Sequence, residues 1–430
     1  MKLSRVCGIS LISIFTVCGL SRAVAAPTDA PQTTIHHSKS KTASHVTRHA
    51  HVRHTAASKT VVHSQSAHST TRTTVRTTRT TAHLRTVSLH RRHHYYERFT
   101  ASSFIHGEIG EGDITAGEDP VVREAAVEAL GDMNGTAVVI DPSNGRVLAM
   151  VNQKLALSPG AEPCSTIKLT VALAALSEGL VTQDTMVQLP GFRMNMTQAL
   201  AKSNNLYFET LGRELGFERV RHYATQFGLG ELAGYDIAGE QLGEYPEQAI
   251  PESEGGVGRM CSFGQGVSLT PLQLGALVSA IANGGTLYYL QHPTTPGEVA
   301  NFQPKVKRTL DIARYVPEME DGMAGAVEYG TARSLRANFR ELPVFGKTGT
   351  CSDNGTRFGW FASYSQSPMG SLVTVFLLEG GRPTFGPRAA ELTGEFYKNL
   401  WDHDYFAVKN QEAGNTPDTP AAPVPGTAAQ

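Results

Sequence analysis

Apolar positions recur along this chain with helical and strand periods, but only after about residue 119. In "DPVVREAAVEALG" the residues Val122, Ala125, Ala126 and Ala129 stand three and four apart, and the run stops at Gly131, which predicts a helix. "TAVVIDPSNGRVLAMV" holds two apolar runs around Pro142, Ser143, Asn144 and Gly145, the pattern of a hairpin. From Ser165 to Glu178 the chain is apolar almost all round, so a buried helix is expected. "TPLQLGALVSAIANGG" predicts another, with Thr270 as N-cap, Pro271 in the first turn and Asn283-Gly284 as the stop. Late in the chain "PVFGKTGT", "FGWFASYS" and "SLVTVFLLE" read as three strands, and a last helix is expected from about Arg388 to Trp401. This order predicts one sheet built from both ends of the body, with helices inserted between them.

The first hundred residues follow neither period. Lys2 and Arg5 precede an apolar stretch from Val6 to Leu20 and then "SRAVAAP", which reads as a signal peptide over 1–26. An uncleaved membrane anchor is the rival reading. Lipidation at Cys18 is the weaker one, because Val17 is bulky where a small residue is wanted. Residues 27–105 are rich in His, Thr and Arg. Between Pro27 and Thr100 there are 12 Lys plus Arg against only Asp29 and Glu97. Such a stretch buries too little apolar surface to fold alone, so a disordered basic tether is expected. Its histidines lack fixed spacing, which favours no metal site. Residues 409–430 are Pro/Ala-rich and are read as a disordered tail. The folded part is therefore expected over 106–408.

Composition changes this picture in one respect. The 430-residue chain has a formal charge of −1, but residues 101–430 carry 23 Lys plus Arg against 37 Asp plus Glu. An acidic body argues against nucleic-acid binding. The basic tether is suited to contact with an anionic membrane or cell-wall polymer.

The candidate chemistry lies at the start of the buried helix. Ser165 and Lys168 form S-x-x-K. A helix N-terminus offers free N–H groups that favour developing negative charge at Ser165. Lys168, three residues on, shares its face. Apolar neighbours would desolvate the Lys168 ammonium and lower its pKa, which a lysine needs in order to act as a base. Downstream stand "KSNN", with Ser203, Asn204 and Asn205, and "GKTGT", with Lys347, Thr348, Gly349 and Thr350.

With these three motifs in this order, the chain resembles the penicillin-recognising serine acyl enzymes, in particular the transpeptidase domain of penicillin-binding proteins. "AVVIDPSNGRVLAMV", "FGQGVSLTPLQLGALVSAIANGG", "AVEYGTA" and "WFASYS" are also similar to segments of that family, so the resemblance covers roughly residues 119–404. It implies an α+β fold, with a five-stranded antiparallel sheet flanked by helices and an inserted all-helical subdomain. It implies Ser165 as nucleophile, Lys168 as general base and Ser203 as proton relay. Asn205 would bind the substrate's amide, Lys347 would supply positive potential, and Thr348 and Thr350 would bind a terminal carboxylate. The backbone N–H groups of Ser165 and Thr350 would form the oxyanion hole. No cofactor or metal is implied. Family members carry a folded domain ahead of the transpeptidase where this chain has the basic stretch, so a minimal catalytic domain is expected.

The implied oxyanion hole bears on two cysteines. Cys164 precedes Ser165 and Cys351 follows Thr350. Two N–H groups converging on one oxygen hold their nitrogens within about 6 Å of each other. That geometry permits but does not compel a Cys164–Cys351 disulfide, and an oxidising compartment favours it. The alternative is two small buried thiols, and Cys261 is expected to be free in either case.

The implied activity is D-alanyl-D-alanine transpeptidation on peptidoglycan stem peptides through a seryl acyl-enzyme, with β-lactams as acylating mimics. With water as acceptor the same site is a D,D-carboxypeptidase. A serine β-lactamase is a second alternative. The class A glutamate segment is missing, and Asn205 stands where class D enzymes have an apolar residue. A non-enzymatic β-lactam or muropeptide sensor is a third. The implied location is exported, periplasmic or cell-envelope.

Overall fold

The computed structural model describes residues 100–368 and 370–407. The expected signal peptide, nearly all of the expected tether and the expected tail fall outside the described residues. Residues just ahead of the expected start at 106 pack on the body. Ser103 is buried, its hydroxyl donates to the Arg382 carbonyl at 2.9 Å, and Phe104 pairs with Met133.

In chain order the body opens with α1 (Pro120–Leu130), β1 (Gly135–Asp141), β2 (Arg146–Val151) and the short α2 (Gln153–Ala156). Next come α3 (Lys168–Ser177), the hairpin β3 (Val187–Leu189) and β4 (Phe192–Met194), α4 (Met196–Ala201), α5 (Asn205–Leu215), α6 (Phe217–Gln226), α7 (Gly256–Phe263) and α8 (Pro271–Ala282). β5 (Thr286–Tyr288), α9 (Pro296–Ala300) and β6 (Val306–Thr309) follow. The chain then runs through α10 (Val316–Glu328), β7 (Val344–Asp353), β8 (Thr356–Ser367), β9 (Gly370–Gly380) and α11 (Gly386–Asp402). The five-stranded sheet has the order β2-β1-β9-β8-β7, antiparallel throughout, so both ends of the body build it. The insertion expected to be all-helical also carries two small two-stranded sheets, β3-β4 and β5-β6.

Strand alternation sends successive residues to opposite faces, and each face has its own core. Val138 and Ile140 of β1 and Val375 of β9 pack with Leu274, Leu277 and the apolar face of α3. Val139 of β1 and Phe376 of β9 pack with Leu392, Phe396 and Tyr397 of α11 and Ala126 of α1. Local signals set the helix ends. Asp119 accepts from the N–H groups of Val121 and Val122 at 3.0 and 3.1 Å. Thr270 and Gln273 form a reciprocal capping box, and such caps contribute about 1 kcal/mol each. Among the described residues no helix is long and apolar enough to cross a membrane.

Candidate active site

Ser165 stands on a 3-10 turn, Cys164–Ile167, and not on the first turn of the α-helix as expected from sequence. The regular helix α3 begins at Lys168. In a 3-10 turn residues three apart eclipse one another, so Lys168 lies directly over Ser165. The turn is entered through Cys164 at φ 52°, a left-handed conformation that costs a non-glycine residue energy. Thr166 holds it shut by donating its N–H and its hydroxyl to the Pro163 carbonyl, at 3.1 and 2.7 Å. Cys164, Thr166, Ile167 and Lys168 are buried, whereas Ser165 is partly exposed, so the turn presents one hydroxyl to solvent.

Lys168 is the hub. Its Nζ lies 2.9 Å from Ser165 Oγ, 2.9 Å from the Ser203 carbonyl, 3.1 Å from Ser203 Oγ and 2.7 Å from Asn205 Oδ1. Burial holds its ammonium well below the usual lysine range. The Lys347 charge pushes the same way, against a pull from Glu209. A neutral amine here has a lone pair to receive the Ser165 proton while its own protons go to the carbonyl and amide oxygens.

The "KSNN" segment supplies the opposite wall. Ser203 sits at φ 54° at the corner between α4 and α5, and Asn204 caps α5 by accepting from the Tyr207 N–H at 2.9 Å. Capping consumes the Asn204 side chain and leaves Asn205 to face Lys168. Because Asn205 Oδ1 is engaged by Lys168, its NH2 end is the one left for a ligand carbonyl.

Strand β7 forms the floor. Lys347 is fully buried and donates to Ser203 Oγ at 2.8 Å and to the Thr348 carbonyl at 2.9 Å. Burial pushes its pKa down to about 7. Ser203 Oγ is thus held between two amines. Gly349 lets β7 approach the nucleophile's turn, since a Cβ there would lie 2.8 Å from the Pro163 carbonyl oxygen. A disulfide joins Cys164 to Cys351, with Cα atoms 5.5 Å apart. Trp360 of β8 adds a tie by donating its indole N–H to the Glu162 carbonyl at 3.0 Å. Among the described residues Cys261 is the free cysteine, and it is buried.

The structure therefore gathers Ser165, Lys168, Ser203, Asn205 and Lys347 into one hydrogen-bonded group, with Thr348, Gly349 and Thr350 along the adjoining strand. Two contacts escaped the sequence reading. Thr331 Oγ1 lies 2.6 Å from Thr348 Oγ1, and the Gly386 N–H donates to Thr350 Oγ1 at 2.8 Å. "AVEYGTA" had pointed to the segment holding Thr331, but no periodicity or spacing singled out the threonine.

Residues 135–398 match the family model described as penicillin binding protein transpeptidase domain. Stage V sporulation protein D of Bacillus subtilis (strain 168) is 30% identical to the chain over 257 residues, which cover 50% of this chain and 39% of that protein. Peptidoglycan D,D-transpeptidase MrdA of Acinetobacter baumannii is 25% identical over 375 residues, 68% of this chain and 55% of that protein. Among solved structures, a peptidoglycan glycosyltransferase from Burkholderia ambifaria shares the fold with a TM-score of 0.56 at 21% identity, over 72% of this chain and 100% of that one. The chain thus matches 39% and 55% of the lengths of these two relatives.

Proposed function

The chain belongs to the penicillin-binding protein transpeptidase family, and on that premise we propose that it is a serine D,D-transpeptidase acting on D-Ala-D-Ala stem peptides of peptidoglycan. The observation that carries this reading is the contact of 2.9 Å between Ser165 Oγ and a buried Lys168 amine whose pKa is lowered. A hydroxyl beside an amine that holds its proton less tightly than an ordinary lysine is what acyl transfer requires.

In the proposed reaction Lys168 takes the Ser165 proton as Oγ attacks the carbonyl carbon of the penultimate D-Ala. The N–H groups of Ser165 and Thr350 receive the oxyanion. Collapse breaks the peptide C–N bond, and the leaving nitrogen of the terminal D-Ala gains a proton through Ser203, which Lys168 and Lys347 both contact. The acyl group is now a Ser165 ester. An amine of a neighbouring peptide attacks it and yields its proton to Lys168, and Ser165 Oγ departs with a proton. Thr348 and Thr350 bind the terminal carboxylate, in the positive potential of Lys347. β-Lactams acylate the same serine. The reading places the protein in the cell envelope after export, with its N-terminal segment either cleaved or kept as an anchor. It also assigns the basic tether to anionic membrane or wall.

The test is incubation of the purified protein with labelled penicillin and, separately, with a D-Ala-D-Ala peptide and an acceptor amine, followed by mass spectrometry. A long-lived penicilloyl adduct on Ser165 with amine-linked product is the expected result. Released D-Ala with water as sole acceptor makes it a D,D-carboxypeptidase. Rapid turnover to penicilloate makes it a β-lactamase, and an adduct without peptide turnover makes it a sensor.

A further inference from the structure

Thr331 lies outside the three motifs yet touches two of the segments that carry them. It follows Gly330 in the turn after α10. Gly330 is pressed on the end of α4 so closely that a Cβ would lie 2.0 Å from the Ala201 carbonyl oxygen. The Thr331 N–H donates to that same carbonyl at 3.2 Å, two residues before Ser203. Its hydroxyl lies 2.6 Å from the Thr348 hydroxyl on β7. One residue thus ties the Ser203 corner to the strand of Lys347, Thr348 and Thr350.

We propose that Thr331 is a positioning residue for anion recognition: it donates its proton to Thr348 Oγ1, so that the Thr348 proton is turned toward the carboxylate at the substrate's end. The inference rests on the transpeptidase reading above, which gives Thr348 and Thr350 to that carboxylate.

A proton count supports the direction. Each hydroxyl has one proton and two lone pairs. At Thr350 the partner is the Gly386 amide, which can only donate, so the Thr350 proton stays unspent. At Thr348 the partner is another hydroxyl, and a bond of 2.6 Å uses one proton of the two. If Thr331 donates, Thr348 keeps its proton, and both threonines present donors. If Thr348 donates, it faces an anion with lone pairs only, and recognition is lost. Thr348 and Thr350 are two apart on one strand, so they lie on one face about 7 Å apart. A carboxylate can bridge that span with one hydrogen bond of about 2.7 Å to each hydroxyl. Lys347, fully buried beside them, donates to Ser203 Oγ and to the Thr348 carbonyl and so does not compete for the second oxygen.

Thr331 then sets preference for an anion, which separates it from a residue that merely braces the fold. The experiment measures second-order acylation by a penicillin and by its methyl ester, with the full chain and with its Thr331→Val and Thr331→Ser variants. Valine keeps the shape and removes the donor. Loss of a hydrogen bond that orients a charged contact predicts that T331V slows acylation by the free acid about tenfold or more. The ester, which lacks the anion, loses much less, and T331S recovers most of the acid rate. The ratio of acid to ester rates therefore falls in T331V and returns in T331S. An unchanged ratio overturns the proposal, whether both rates fall together or neither does. Absence of any adduct on the unaltered chain refutes the transpeptidase reading itself, and this inference with it.

Discussion

Gly349→Ala places one methyl group where β7 meets the nucleophile's turn. The new Cβ would lie 2.8 Å from the Pro163 carbonyl oxygen and 3.2 Å from both Thr166 Cγ2 and Trp360 Cβ. Ordinary contact begins near 3.4 Å, so strand and turn must part by about 0.6 Å. The oxygen has little freedom to yield, because Thr166 grips it twice and the Cys164–Cys351 bond closes the same turn. Overpacking of this kind costs about 1–3 kcal/mol of stability. The effect on acylation is larger than that loss suggests. An oxyanion hole holds its donors at about 2.7–3.1 Å, and removing one donor costs about 10²–10³ in rate. A shift of about 0.6 Å weakens but does not delete the donor proposed at Thr350, so a loss of about tenfold to a hundredfold is expected. The assay is stopped-flow acylation by a fluorescent penicillin, normalised to folded protein by circular dichroism. Gly275→Ala is the control. Its Cβ would lie 2.5 Å from Ile140 Cδ1, between α8 and β1, on other elements than the turn. It should lower the melting temperature without slowing acylation. A folded Gly349→Ala protein that acylates at the unaltered rate refutes the argument that strand and turn are set by this contact.

Ser165→Ala should abolish penicillin labelling while leaving the circular dichroism spectrum intact; persistent labelling at full yield removes Ser165 as nucleophile. Acylation should rise with pH as Lys168 loses its proton, and Lys168→Arg should be nearly inactive, since a guanidinium does not deprotonate in this range. An arginine variant with the unaltered rate removes Lys168 as base. Lys347 keeps its proton to about pH 7 when folded but to its ordinary value of 10.5 when unfolded, so the unfolded chain binds more protons between those values. Stability should therefore rise with pH across that window, with the cost of charging Lys347 complete below it. Urea midpoints from pH 6.5 to 9 should show a shallower rise in Lys347→Met, and an unchanged slope contradicts the shift. Replacing Cys164 and Cys351 together by serine opens a cross-link between residues 187 apart. Chain entropy puts that at about 5 kcal/mol, with about half expected in practice. Equal melting temperatures for the paired-serine and unaltered proteins exclude a stabilising role.

What the sequence by itself determined are features that act within a few residues. The stop at Gly131, the Thr270 cap and the Pro142–Gly145 turn are local backbone chemistry, and all three sit where the pattern put them. S-x-x-K spacing sufficed to stack Lys168 on Ser165, because i,i+3 neighbours meet in either kind of helical turn. That both ends of the body build one sheet was also legible, from the apolar runs at each end and the rule that helical layers cover a sheet. Tertiary structure decided the rest. The two-stranded sheets β3-β4 and β5-β6 use strands of three or four residues, too short to show a period. The left-handed corners at Cys164 and Ser203 are imposed by what packs on them, since neither residue type prefers that conformation. Lys347 sits in a strand whose pattern gives no measure of depth, and only enclosure by both walls of the cleft lowers its pKa to about 7. The contact between Thr331 and Thr348 joins residues 17 apart from different elements. A hydroxyl pair at that range leaves no trace in hydrophobic periodicity, because its energy depends on where two surfaces meet and not on which face of its own element each residue occupies.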